Sequence, residues 1–182
     1  MKLVGYHATV TPLRNILNGD KLKRKQFDAL ALPGDLGTGT YFFKDNPELA
    51  KQFLEKMHPG ERIKVVKCTI EVDDETVLDF NEPESQEMFN DFKQLKLEQA
   101  TKTFAKLKGN RYCIDGIIIN LLISAIRDQD KTNIKLVIKD TFTPTKELFA
   151  KGRFLTSNFV NGTELCVIDH NIVTKGEEYN GV

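Results

Sequence analysis

Strand-like and helix-like stretches succeed one another along this chain without the regular strand–helix–strand alternation of a parallel sheet, and that order constrains the fold more than any other feature of the sequence. Short runs of β character fall at residues 2–6, 40–43, 62–72, 76–80, 111–119, 134–139 and 164–169. Helical patterns fall at 11–17, 47–57, 84–107 and 121–128. Strands clustered in places, with helices set irregularly among them, predict an α+β domain whose sheet is largely antiparallel and flanked by helices.

Local signals mark several of the boundaries. Thr11-Pro12 and Asn46-Pro47 each have the form of an N-cap residue followed by a first-turn proline, whose φ is preset for a helix and whose missing N–H is not needed there. After Asn46, the residues Leu49, Ala50, Phe53, Leu54 and Met57 return to one helical face, and a longer spacing runs from Met88 and Phe89 through Phe92, Leu95, Leu97, Ala100 and Phe104 to Leu107. Asp115-Gly116 reads as a turn or bulge at a strand end, and periodicity alone leaves residues 117–119 open between strand and helix. Residues 21–39 are basic at first and then rich in Gly and Pro, so they predict an irregular connection with a brief strand at most. Long loops of this kind are often functional.

At 182 residues, without an internal repeat or a Pro/Gly/Ser-rich linker, the chain reads as one domain spanning residues 1–182. Its 26 Lys plus Arg balance its 26 Asp plus Glu, so no overall field advertises a polyanionic partner or a membrane. The most apolar stretch, residues 114–126, is interrupted by Asp115, Gly116, Asn120 and Ser124, and is shorter than the roughly 20 residues a spanning helix needs. The first residues lack the basic segment and long apolar run of a signal peptide. Together these predict a cytoplasmic protein with no membrane partner. Cys68, Cys113 and Cys166 are too few and too far apart for a disulfide framework or a metal knuckle, and each sits among apolar residues, so they read as reduced core side chains.

Three segments carry the candidate chemistry: Tyr6-His7-Ala8-Thr9, Gly37-Thr38-Gly39-Thr40-Tyr41-Phe42, and Thr163-Glu164-Leu165-Cys166-Val167-Ile168-Asp169. Taken singly, each has an ordinary reading: a surface histidine after a strand, a turn before a core strand, and a solvated carboxylate at a strand start. The glycines are no dinucleotide or phosphate-loop fingerprint, because they precede a strand instead of joining a strand to a helix. In chain order, however, the three segments resemble the H-Y-E group of ADP-ribosyltransferases, which includes the diphtheria-toxin-like enzymes and the poly(ADP-ribose) polymerases. The middle segment, with Asp45 and the helix from Pro47, is similar to the Gly-x-Gly-x-Tyr-Phe stretch of the polymerase catalytic domains, and the resemblance covers most of the chain.

The resemblance implies an ADP-ribosyltransferase-like split sheet and a metal-independent enzyme that uses NAD as co-substrate. It assigns His7, Tyr41 and Glu164 as catalytic residues, and His7, Ala8, Thr9, Gly39, Tyr41 and Phe53 as the NAD-binding set. His7 would hydrogen-bond the adenosine ribose. The backbone of Ala8, which stands where the family has Gly, would pair with the nicotinamide carboxamide. Tyr41 would pack on the nicotinamide, and Phe53, an approximate match to the family's second tyrosine, would supply the other wall. Nicotinamide in NAD is a flat cation, so aromatic walls gain roughly 0.5–2 kcal/mol from stacking and the ring quadrupole. The glycosidic bond breaks with oxocarbenium character, which a carboxylate such as that of Glu164 stabilises in the transition state. This reading requires His7, Tyr41, Phe53 and Glu164 to line one cleft, with the strand that begins at Glu164 beside the strand that ends at His7, and separation of those side chains to opposite faces would sink it.

In the resembling enzymes the loop before the catalytic glutamate faces the acceptor, here residues 151–163 with Arg153, Phe154, Asn158, Phe159 and Asn161. Gly162 stands where arginine-modifying relatives carry Glu or Gln, which argues against an arginine acceptor. Lys21, Lys23, Arg24 and Lys25 with Phe27 form a basic run with one aromatic, which tilts the acceptor towards nucleic acid over protein, although a solvated loop reads equally well. The resemblance further implies a small bacterial toxin of a toxin–antitoxin or phage-defence system, with an antitoxin protein as a partner. The alternatives are an NAD glycohydrolase and a non-catalytic module that binds NAD or ADP-ribose. An RNA 2′-phosphotransferase needs several arginines around a phosphate, and only His7 and scattered arginines are on offer.

Overall fold

The first strand, β1 (Lys2–Thr9), is followed by a single helical turn α1 (Leu13–Ile16), a small hairpin of β2 (Leu17–Asn18) and β3 (Lys21–Leu22), then β4 (Thr40–Lys44), α2 (Pro47–Met57), β5 (Lys64–Glu71) and β6 (Val77–Asp79). Two helices follow, α3 (Pro83–Phe104) and α4 (Asp115–Asp130), and the chain ends with β7 (Leu136–Thr141), β8 (Leu148–Ala150), β9 (Arg153–Leu155), β10 (Gly162–Val167) and β11 (Val173–Tyr179). This computed structural model describes residues 1–109, 113–143, 148–150, 153–155 and 159–181, with backbone alone in β8 and β9. Seven strands form one sheet in the order β11-β5-β1-β4-β10-β7-β6, while β2–β3 and β8–β9 stand apart as two-stranded sheets. Within the large sheet β6 runs parallel to β7 and the other neighbours are antiparallel. The fold is α+β, as the order of the sequence patterns predicts.

Register divides the side chains between two faces, because residues directly opposite one another on paired strands project to the same side. Tyr6 lies opposite Phe43, Phe43 opposite Glu164, and Tyr41 opposite Cys166. This helical face is covered by α2, which brings Leu49 and Ala50 against Tyr6, Phe43 and Val65, and by α4, which brings Ile119 and Leu122 against Val137 and Cys166. The other face carries Phe42, Val66, Cys68, Ile70, Leu165 and Val167, all fully buried beneath Leu13, Leu17 and Leu22 of α1 and the β2–β3 hairpin. The free thiol of Cys68 lies in this layer and that of Cys166 on the helical face; burial pushes both up to about 12, and Cys113 is half-buried.

Helix α2 follows its sequence signals closely: the Asn46 side chain accepts from Leu49 N–H at 2.9 Å, Pro47 opens the first turn, and Phe53 packs edge-on against Phe43 with ring centroids 5.8 Å apart. Met57, predicted on the same face, is instead 62% exposed at the last turn. Helix α1 is a correction. Pro12, not Thr11, occupies the cap position and no side chain caps the turn, which ends at Ile16 because Leu17 is already extended and pairs with Leu22.

The largest correction concerns residues 111–119, where the sequence predicts a strand. From Asp115 onward they are the start of α4, and Asp115-Gly116 is its first turn instead of a bulge; residues 110–112 lie outside the described set. Ile117, Ile118 and Ile119 are each at most 3% exposed, with Ile119 against the sheet and Ile117 and Ile118 against α3. A helix segment buried on every side shows no amphipathic period, and packing overrides the local β preference of three branched residues. Gly116 is what allows the approach: a Cβ there would stand 1.8 Å from the Gly34 carbonyl oxygen. In α3 the apolar spacing holds for Phe89, Phe92, Ala100 and Phe104, which pack on α4, while Leu95 and Leu97 face solvent. The edge strand β11 has no counterpart in the sequence reading.

Candidate functional site

At one end of the large sheet, β1 and β4 separate. Their ladder joins only Gly5 with Lys44 and Tyr6 with Phe43, closed at the outer end by Asp45 N–H on the Val4 carbonyl at 3.0 Å. Beyond Tyr6, β1 continues along β5 as far as Thr9 opposite Lys64, and β4 continues along β10 as far as Thr40 opposite Val167. Had the ladder run on, its next bonded pair would have been Ala8 with Tyr41. The Tyr41 carbonyl instead accepts from His7 Nδ1–H at 2.8 Å. Because main-chain groups alternate in direction along a strand, those of Val4 and Tyr6 address β4, and those of Ala8 turn into the gap.

The His7 ring lies on the hairpin face, 5.6 Å from the ring of Phe42. Burial lowers its pKa, the hydrogen bond to Tyr41 opposes that, and the charges of Lys25 and His170 reinforce it, so the imidazole is held neutral with Nε2 as the acceptor. Against this face the basic run folds into a cluster: the Lys25 ammonium sits 5.3 Å over the Phe27 ring, which stacks on His170 at 6.5 Å, and His170 Nε2 meets Thr40 Oγ1 at 2.7 Å. Lys23 Nζ donates to the Arg14 carbonyl at 2.7 Å.

On the helical face, the Tyr41 hydroxyl accepts from Leu36 N–H at 2.9 Å and donates to the Gly37 carbonyl at 2.8 Å, and burial raises its pKa, so it stays a neutral phenol. It thereby staples the loop that leads into β4. Asn120 of α4 holds the same loop from the other side, accepting from Thr38 N–H and donating to Thr38 Oγ1, each at 2.9 Å. Gly39 lies flat against β10, where a Cβ would come within 2.5 Å of Cys166 Sγ and 2.7 Å of the Val167 carbonyl, so it supports the loop.

Glu164 begins the inward run of β10, half-buried, opposite Phe43 on one side and Lys139 on the other. Its Oε1 accepts from Thr141 Oγ1 at 3.1 Å and from Thr143 Oγ1 at 3.0 Å, and the Thr143 main chain is in turn gripped by both ends of the Asn161 amide at 2.8 Å. Two hydroxyl donors on one oxygen orient the carboxylate.

The structure therefore brings Tyr41, Glu164, Phe53 and the Ala8 methyl to one face and leaves His7 on the other, which corrects the single four-residue cleft drawn from the sequence. The strands differ from that expectation as well: β4 intervenes between β10 and β1. Thr9 is buried and its hydroxyl accepts from Thr11 N–H at 2.9 Å, turning the chain out of β1. Arg153 and Phe154 are in β9, paired with Ala150 and Phe149 of β8; Asn158 lies outside the described residues. Sequence reasoning missed Thr141 and Thr143 as the partners of Glu164, Asn120 as the clamp, and His170 as the stacking partner of Phe27. None of these carries a local signal, since each acquires its role from a contact across at least 21 residues.

Among the described residues no helix is long and apolar enough to cross a membrane. Comparison of the chain with protein-family models, with curated proteins and with solved structures finds no match.

Proposed function

We propose that this chain is an NAD-dependent mono-ADP-ribosyltransferase. The observation that carries the reading is the parted end of β1 and β4, where the main-chain groups of Ala8 turn into a gap whose helical side leads to an oriented carboxylate at Glu164. An N–H and a C=O of one residue, without partners among the described residues, are the complement of a primary carboxamide, the one group of nicotinamide that can make paired hydrogen bonds. In this reading the Ala8 methyl is accommodated because it points towards Phe53 and α2, not into the gap.

The residue roles follow from the two faces. Glu164 stabilises the positive charge that develops on the ribose as nicotinamide departs and binds a ribose hydroxyl; its threonine donors keep the carboxylate aimed before substrate arrives. Tyr41 and Phe53 supply aromatic surface on the same side. His7 acts from the opposite face, and its Nδ1–H occupies the Tyr41 carbonyl that would otherwise zip Ala8 into the ladder. It is thus a positioning residue for the gap, with Nε2 left to accept from a hydroxyl of the adenosine half. The resemblance that supports a transferase also supports a toxin role, for which growth arrest on expression, relieved in Glu164→Gln, is the direct check.

The test is incubation of the purified protein with NAD labelled in its ADP-ribose part, in separate pools of RNA, DNA and cell protein, beside Glu164→Gln. Transfer of label into one pool, reduced at least about 100-fold in the variant, is the outcome for a transferase. Nicotinamide release with no labelled pool means a glycohydrolase, and NAD binding without turnover means a non-catalytic module, the reading that the placement of His7 on the far face favours.

A further inference from the structure

Beside Glu164 on the helical face, a cavity of about 320 Å³ opens between α3, α4 and the loop at Asp35. It falls in the size range of small-ligand sites, roughly 300–1,000 Å³. Its position ties it to the candidate centre from two sides. Lys139, on its wall, stands directly opposite Glu164 on β7 and projects to the same face. Asp35 precedes Leu36, whose N–H holds the Tyr41 hydroxyl.

We infer that this cavity is the acceptor site and that it takes an uncharged nucleobase; the inference rests on the transferase reading. Its inner wall is apolar and aromatic, formed by Phe80 and Phe89 in edge-to-face contact at 5.3 Å. Its rim is polar in both senses. Gln86 donates through Nε2 to the Phe80 carbonyl, which leaves its Oε1 for a ligand, and Asn90 has both ends of its amide without a partner among the described residues. Among the described lining residues the charged groups are Lys93, Lys139, Asp35 and Asp115, and Lys93 is paired with Asp115 at 2.6 Å.

The aromatic wall and the carboxamide rim select the ligand. A flat neutral heterocycle, with apolar faces and an edge that both donates and accepts, matches an aromatic wall below a rim of carboxamides. Transfer then balances as a substitution at the ribose carbon. The C1′–N bond to nicotinamide breaks with its electron pair returning to the ring nitrogen, and neutral nicotinamide leaves. A nitrogen of the bound base forms the new bond to C1′ and gives up its proton through the Glu164 carboxylate to water.

The experiment measures fluorescence polarisation of labelled single-stranded homopolymers of each base, without NAD, for the wild type, Asn90→Ala and Lys139→Ala. Both residues are exposed, and Leu95→Ser on the solvent side of α3 serves as the control for folding and for non-specific binding. The cavity predicts preference for one base and a loss of about 10-fold or more in Asn90→Ala, with the control unchanged. Label from NAD should then enter the preferred oligonucleotide and fall in parallel. Equal binding to all bases, unchanged binding in both variants, or label entering protein alone would overturn the inference. Nicotinamide release by the wild type is read separately, so failure of the transferase reading shows there, while polarisation decides the cavity.

Discussion

Phe42, Val66, Cys68, Leu165 and Val167 seal the hairpin face of the sheet with side chains no more than 1% exposed, whereas the helical face interleaves polar groups with its packing: the Tyr41 hydroxyl, the Asn120 amide and the Glu164 carboxylate. Both faces belong to the same strands and differ by one residue in phase. The contrast separates what holds the sheet together from what is free to do chemistry. Apolar burial is insensitive to direction, so the sealed part of the hairpin face stabilises; hydrogen-bonded groups have fixed directions, so the polar groups of the helical face position, as His7 does at the open end of the hairpin face.

Removing a large buried side chain from the sealed face should have the greatest effect on stability. Phe42→Ala is expected to cost about 3–5 kcal/mol in urea unfolding, and Phe53→Ala, only partly buried on the other face, clearly less. Similar losses at both positions would erase the distinction. Gly116→Ala comes next, at about 1–3 kcal/mol, because its methyl must displace the Gly34 carbonyl and the loop that Tyr41 and Asn120 hold. A fall in NAD turnover larger than the fall in stability would show that the loop matters to the site beyond folding.

The pH dependence sharpens the comparison from the hairpin side. Burial depresses the pKa of His7, and burial together with Arg24 depresses that of His170, so the unfolded chain binds these protons first. Their contribution is fully present above the unfolded value of about 6.5 and is lost as the pH falls towards the folded values. Urea midpoints measured between pH 7 and pH 5 should fall, with a shallower slope in His7→Phe. An unchanged slope would mean that His7 is not the group being protonated. The smallest effect belongs to the surface: Lys102→Ala, which removes an exposed pair with Glu98, should change stability by no more than about 0.5 kcal/mol.

Legibility varied with how local the cause was. Asn46 and Pro47 announce α2 because a cap and a preset φ act within one turn, and residues 40–43 announce β4 through their own side chains. The isoleucines at 117–119 stayed open between strand and helix, because branched residues favour strands locally and nothing nearby records that α3 and the sheet will enclose them. At the candidate site, the types of residue were readable, His7, Tyr41 and Glu164 among them, but their faces were not. That assignment depends on the offset of one strand against another, and a shift of one residue reverses every side chain.

By itself, then, the sequence determined an α+β chain with a mostly antiparallel sheet, the position of its central strands, and a carboxylate at the start of a buried strand. The tertiary structure decided the rest: the early end of the β1–β4 ladder, the turn of Ala8 into the gap, the placing of His7 behind the sheet, and the pairing of Glu164 with Thr141 and Thr143. The physical reason is range. Propensity, capping and alternation are properties of a few neighbouring residues, while register, burial and the partners of a buried charge are set by segments that meet only after the chain has folded.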